Sequence, residues 1–177
     1  MLNIDTSCWK EFRINELFIL GHGKRLTKED RIKGRIPFVT AGEQNCGIAE
    51  YIGNECELFS KPITIDMFGN CFYHDEVCAG DDNVYFFVND KISAEAKLFI
   101  STIIQKKIKH QYSYAIQFRQ KQANELTIKL PVTYVEEIDF ELMEKYISVI
   151  EKITIKKLYE DKGIFINQAK KIISEDT

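Results

Sequence analysis

The sequence predicts a mixed α/β domain, rich in β-strands, that gives way to a long C-terminal α-helix. Three observations carry that expectation. Short β-branched and aromatic runs, broken by Gly, Asn and Asp, fill the first two thirds of the 177 residues, as strands joined by turns do. One helical periodicity interrupts them at residues 93–109. After Asp139, a good N-cap, the next Gly or Pro is Gly163, which leaves room for a helix of about 23 residues. The boundaries expected are a domain at residues 1–135 and a helical segment at residues 136–177.

Residues 9–14, with Trp9, Phe12 and Ile14, read as a half-buried edge strand. Asn15 can cap a single helical turn carrying Leu17 and Phe18. Gly21-His22-Gly23 is expected to make a flexible corner. Residues 36–40 are β-branched and aromatic, and Pro37 suits an edge strand. Ala41-Gly42 and Asn45-Cys46-Gly47 bracket a loop that re-enters a strand at residues 48–52. Residues 62–66 alternate with period two, and Gly69-Asn70 turns the chain into residues 71–73. Residues 83–88 form a nearly continuous apolar run, the pattern of a strand buried on both faces.

Ser93 caps the internal helix and Glu95 sits in its first turn. Ala96, Phe99, Ile100, Ile103, Ile104 and Ile108 follow helical spacing, and the lysines at its end complement the helix dipole. Aromatic-polar alternation resumes at residues 112–118, and residues 125–130 form a last strand closed by Pro131. In the C-terminal helix, Leu142, Met143, Tyr146, Ile147, Val149, Ile150 and Ile153 cover an arc of roughly 160°, wider than the ~100° that one-sided burial needs. Met143, Tyr146, Ile150 and Ile153 follow a 3-4-3 seam that Lys157 interrupts. The helix either packs only on its own domain or holds a second partner on the remaining width. Beyond Gly163, a shorter helix with Phe165, Ile166, Ala169, Ile172 and Ile173 is expected to fold back or continue outward.

With 45% hydrophobic and 29% charged residues, the composition is that of a globular protein and excludes wholesale disorder. No basic segment followed by an apolar run opens the chain, and the longest apolar stretches fall far short of the ~20 residues that span a bilayer, so a cytoplasmic chain without membrane contact is expected. Five cysteines (Cys8, Cys46, Cys56, Cys71, Cys78) form no paired spacing. Cys71, His74 and Cys78 hint at zinc, but structural zinc needs a second short-spaced pair, so no metal is expected and the cysteines read as small buried hydrophobes.

The net charge of −3 hides strong segregation. Residues 24–35 hold six cations (Lys24, Arg25, Lys28, Arg31, Lys33, Arg35) against Glu29 and Asp30. Residues 101–121 hold five (Lys106, Lys107, Lys109, Arg119, Lys121) and no acid, whereas residues 41–90 hold ten acids and one lysine. Local positive density, rather than a basic average, is what phosphate contacts require. The polar loop residues Gln44, Asn45, Gln117, Arg119 and Gln120 are of the types that bond adenine or guanine edges. No phosphate loop, dinucleotide fingerprint or Gly-x-Ser-x-Gly occurs, and His22, His74 and His110 stand outside any motif. The best catalytic alternative is Asp82 with Glu95-Ala-Lys97, the order used by metal-dependent nucleases. Against it, Glu95 and Lys97 fall in the first turn of a helix, where capping and surface roles suffice.

An ordered set of segments resembles a known family. Trp9-x-x-Phe12, Gly23-Lys-Arg-Leu-Thr27, Ile36-Pro-Phe-Val-Thr40, Asn45-x-Gly-Ile48 and Tyr51-Ile52 are similar to the opening of a target-recognition domain. Ile63-Thr-Ile65, Phe68-Gly-Asn70, Phe72-Tyr73-His74, Asp82-Asn-Val84, Leu130-Pro-Val132, Ile138-Asp-Phe140 and Met143-Glu-x-Tyr146-Ile147 continue the resemblance in order, over about residues 9–150. Such domains belong to the DNA specificity subunits of type I, and related type II, restriction-modification systems. The resemblance implies a twisted β-rich domain that reads double-stranded DNA, followed by a helix that holds a methyltransferase subunit, a restriction subunit or a second copy of the chain. It implies no catalysis by this chain, with S-adenosylmethionine, ATP and Mg carried by partner subunits. The family's full subunit has two recognition domains and two helical regions. This sequence has room for one of each, as a half-subunit, a fragment or a reused module would.

Overall fold

The computed structural model describes residues 5–175, with side chains up to residue 160 and at residue 162. The first elements are β1 (Lys10–Arg13), α1 (Ile14–Leu17), β2 (Ile19–His22), β3 (Lys33–Val39), β4 (Ile48–Ile52), β5 (Ile63–Asp66) and β6 (Cys71–Tyr73). There follow β7 (Ala79–Gly80), β8 (Val84–Val88), α2 (Ala94–Ile108), α3 (Gln120–Glu125), β9 (Thr127–Leu130) and α4 (Phe140–Glu175). The fold is mixed α/β and β-rich with a long C-terminal helix, as expected.

The main sheet has the order β2-β8-β5-β6, all antiparallel. Its centre, β8, is buried on both faces because successive side chains point opposite ways. Tyr85 and Phe87 join the large core under α2, while Val84 and Phe86 join a second cluster with Val39, Phe59 and Cys78. β5 keeps its period-two alternation, yet its polar side is buried as well: Thr64 and Asp66 are 1% and 3% exposed. A smaller sheet, β4-β3-β7, covers that side, and β1 pairs with β9 at the margin of the large core. Ser93 Oγ accepts the Ala96 N–H at 3.2 Å and starts α2, whose Ile100, Ile104 and Ile108 are fully buried.

Several local expectations are corrected. Gly21-His22-Gly23 is no corner: residues 19–22 are β2, registered against β8. The glycines answer crowding instead, since a Cβ on Gly21 would sit 2.3 Å from the Phe59 ring and one on Gly23 2.0 Å from the Asp81 carbonyl. β3 is central rather than an edge, but β7 pairs only with Phe38 and Val39, so Pro37 lies just outside that ladder. Asn15 sits inside α1 and caps nothing; its amide donates to the Asn124 carbonyl at 3.0 Å. Residues 112–118 form a loop, and α3 precedes β9, which starts at Thr127.

α4 begins as expected, with Asp139 Oδ1 accepting the Leu142 N–H at 2.9 Å. It then runs 36 residues without breaking at Gly163, where a Cβ would meet no neighbour within 4 Å and glycine costs the helix only ~1 kcal/mol. The side chains of the expected second helix beyond Gly163 lie outside the described residues. Met143 and Ile147 are buried in the large core, and Tyr146 stacks on Phe99 at 6.2 Å. Ile150 and Ile153 are exposed, so the 3-4-3 seam divides along its length. Met143→Ala is therefore expected to destabilise the fold by about 2–5 kcal/mol, and Ile150→Ala by less than about 0.5 kcal/mol, in denaturant unfolding. Equal losses would show that the two positions share one environment.

Candidate nucleic-acid interface

The antiparallel pairing brings one end of every strand of the main sheet to the same rim: the end of β2, the start of β8, the end of β5 and the start of β6. The small sheet delivers the ends of β3 and β7 and the start of β4 to that rim, because Asp81 N–H bonds the Val39 carbonyl at 2.9 Å. Loops far apart in the sequence therefore meet.

Asp66 organises them. Its carboxylate is buried and accepts four hydrogen bonds: Phe68 N–H (2.8 Å) and Asn70 N–H (2.9 Å) on Oδ1, and Gly42 N–H (2.8 Å) and Asn70 Nδ2 (2.8 Å) on Oδ2. The Gly42 bond draws the β3–β4 loop, with Gln44 and Asn45, against the β5–β6 turn. That loop is tight: Asn45 and Cys46 have φ of 49° and 53°, and Asn45 Nδ2 reaches the Ile48 carbonyl at 3.3 Å. On the same turn the Met67 carbonyl accepts the Phe118 N–H at 2.9 Å, which docks the 111–119 loop beside it.

Across the rim runs a polar ridge on the turn between β7 and β8. Arg25 Nη1 lies 3.9 Å from Asp82 Oδ2, Asn83 Nδ2 donates to Asp82 Oδ1 at 3.2 Å, and Arg119 Nη1 donates to Asn83 Oδ1 at 3.2 Å. Arg119 also donates to Gln117 Oε1. Lys24 is tied in by its backbone, which bonds the Gly80 carbonyl at 2.9 Å. The two basic segments, some 90 residues apart in sequence, are thus joined through the side chains of Asp82 and Asn83. Gln120 and Lys121 follow on the exposed start of α3.

The rest of the basic stretch lies elsewhere. Lys28 is on a single 3-10 turn (Lys28–Asp30), and Lys33 and Arg35 are exposed at the start of β3, the end opposite the rim. Arg31 is committed inside: its guanidinium pairs with Glu50 at 2.7 Å, bonds the Leu26 carbonyl, and lies 4.7 Å from the Phe38 ring. Lys107 is likewise held by Thr127. Sequence reasoning missed Asp66 and Asn83, whose roles come from partners that only the fold supplies.

The nuclease grouping does not assemble. Asp82 precedes β8 and Glu95 and Lys97 follow it, which puts them at opposite ends of a five-residue strand, on the order of 17 Å apart. Lys97 is not a surface residue. It is 2% exposed, its Nζ donates to the Lys61 carbonyl at 3.0 Å, and burial lowers its pKa. Of the cysteines, Cys71 and Cys78 are buried, Cys56 is partly so, and Cys8 and Cys46 are exposed. His74 is buried, with its Nε2 2.9 Å from Thr64 Oγ1, and burial holds its pKa down at about 4. No helix of the described residues is long and apolar enough to cross a membrane.

The sheet scaffold thus gathers cations and amide side chains on one rim and ends in a long helix. Residues 6–160 match the family of the Type I restriction modification DNA specificity domain, and the chain belongs to that family. It is 30% identical over 159 residues to the Type II restriction enzyme BgcI specificity subunit S.BcgI of Heyndrickxia coagulans, covering 86% of this chain and 46% of that one. The fold resembles the S subunit of a type I system from M. genitalium, with a TM-score of 0.61, 21% identity, and 87% of this chain and 42% of that one covered. It also resembles the HsdS subunit of Thermoanaerobacter tengcongensis, with a TM-score of 0.57, 11% identity and coverage of 88% and 39%. The chain spans about half the length of these relatives.

If Asp66 holds the rim, Asp66→Asn should keep Oδ1 as an acceptor and set an amide against Gly42 N–H and Asn70 Nδ2. Amide hydrogen exchange at Gly42 is expected to quicken by the loss of about 1–3 kcal/mol of protection, with β2 and β8 unchanged. Wild-type protection at Gly42 would mean that the loop is held by something else.

Proposed function

We propose that this chain is the DNA-reading module of a restriction-modification system and is not itself catalytic. The observation that supports it is the ridge from Arg25 through Asp82 and Asn83 to Arg119, which joins two cationic segments on the rim that also carries the amide loops. Lys24, Arg25 and Lys121 contact phosphates on double-stranded DNA, and Gln44, Asn45, Gln117, Arg119 and Gln120 face base edges; Lys28, Lys33 and Arg35 lie away from the rim and leave the set. Arg31 leaves the set because its donors are spent inside the protein. The chemistry belongs to partner subunits, which carry S-adenosylmethionine, ATP and Mg, and the assembly works in the cytoplasm. Replacing Lys24, Arg25 and Lys121 together with alanine should weaken binding to all duplexes about equally. It should also lower the slope of log affinity against log salt by about three. An unchanged slope would remove the rim as the DNA surface.

The exposed part of α4 takes the partner, a methyltransferase subunit or a second copy of the chain. Val149, Ile150, Ile153, Ile155 and Leu158 are each 37–56% exposed, more apolar surface than a solvated helix needs. Tyr146 stacks on Phe99 and serves the domain, so the clean variant is Ile150→Glu with Ile153→Glu. It should abolish association in sedimentation and pull-down while thermal unfolding stays within about 1 kcal/mol of the parent. Normal assembly by this variant would assign the contact to another surface.

A further inference from the structure

The 111–119 loop carries an apolar tip that neither the core nor the ridge uses. Both its ends are anchored: Tyr112 packs edge-on against the fully buried Phe118 at 5.3 Å, and Phe118 N–H bonds the Met67 carbonyl. Between them, Ser113 N–H closes the tip on the Ile116 carbonyl at 2.8 Å, and Ala115 N–H bonds Ser113 Oγ at 3.3 Å. Tyr114 is left 81% exposed and Ile116 64% exposed, with exposed Ala115 between them. Phe68 meets the Tyr114 ring edge-on at 5.0 Å and limits its freedom. The tip thus has partners within the protein for both its backbone and the Tyr114 ring.

The segment that carries it is cationic, which favours an anionic occupant, although Glu43 lines the neighbouring cleft with Phe68, Lys109 and Tyr112. No Asp or Glu occurs from residue 96 to residue 124, while Lys106, Lys109, Arg119 and Lys121 are exposed there. An anionic surface that also offers an apolar feature is the DNA major groove, where the thymine C5 methyl is the one such group among the four bases. We propose that Tyr114 and Ile116 read thymine, packing on its C5 methyl in the major groove beside Arg119. The inference rests on the DNA-reading proposal and names a specificity determinant within it.

The test begins by selecting preferred duplexes from a random pool with the full chain. Each thymine of the selected site is then replaced by uracil, which lacks the methyl but pairs identically. At one thymine or more, uracil should weaken binding about four-fold, the amount expected for burying one methyl group. The penalty should vanish in Tyr114→Ser with Ile116→Ser, whose salt slope should match the parent because no phosphate contact is lost. A selected site where uracil is tolerated at every thymine, or where the variant keeps the penalty, overturns the thymine assignment and leaves DNA reading intact. Selection of no sequence, with binding indifferent to salt, overturns the DNA-reading proposal and this inference with it.

Discussion

A carboxylate can leave water only where donors replace its hydration, and Asp66 is almost entirely out of water. Its four donors belong to two turns that arise from different sheets, so satisfying one charge decides where both turns go. The β3–β4 loop is held to the β5–β6 turn, and that turn in its place offers the Met67 carbonyl to the 111–119 loop. The rim is therefore a consequence of charge burial at the end of β5. Loops joined only by contact between surface side chains would have no such reason to converge.

What was legible in the sequence was local. The apolar run around Val84 announced a strand buried twice over, and Ser93 and Asp139 announced helix starts, because each signal depends on neighbours a few residues away. What was illegible depended on distant partners. Gly21 and Gly23 look like a hinge until Phe59 and Asp81 are known to press on them. The alternation at residues 112–118 looks like a strand, but no sheet edge receives it; Tyr112 and Phe118 face the core and the residues between them face water. Equal charges in one basic stretch proved unequal in role, since Arg31 turns inward to Glu50 while Arg25 turns to the rim. The family resemblance named the right class from ordered fragments, although it could not say which cations share a surface.

The C-terminal helix shows a subtler limit. Its broad apolar arc suggested two partners on two sides. Burial instead changes along the axis: α2 has 15 residues and α4 has 36, or roughly 22 Å against 54 Å of helix. Met143 and Ile147 fall within reach of α2, whereas Ile150 and Ile153 lie past it. A helical wheel collapses this distinction because it discards the third dimension.

The anchors of the rim are mostly main-chain groups. Thr40 N–H bonds Gly47, Lys24 N–H bonds Gly80, Asp81 N–H bonds Val39 and Phe118 N–H bonds Met67, each through a carbonyl. Backbone bonds are indifferent to the side chains that ride on them, and exposed substitutions away from special features shift stability by only about 0.5 kcal/mol. Gln44, Tyr114, Ile116 and Gln120 can therefore drift with little pressure from folding. A lineage built on this scaffold is free to explore new side-chain combinations at its tips, and inheritance of the architecture does not entail inheritance of the preference.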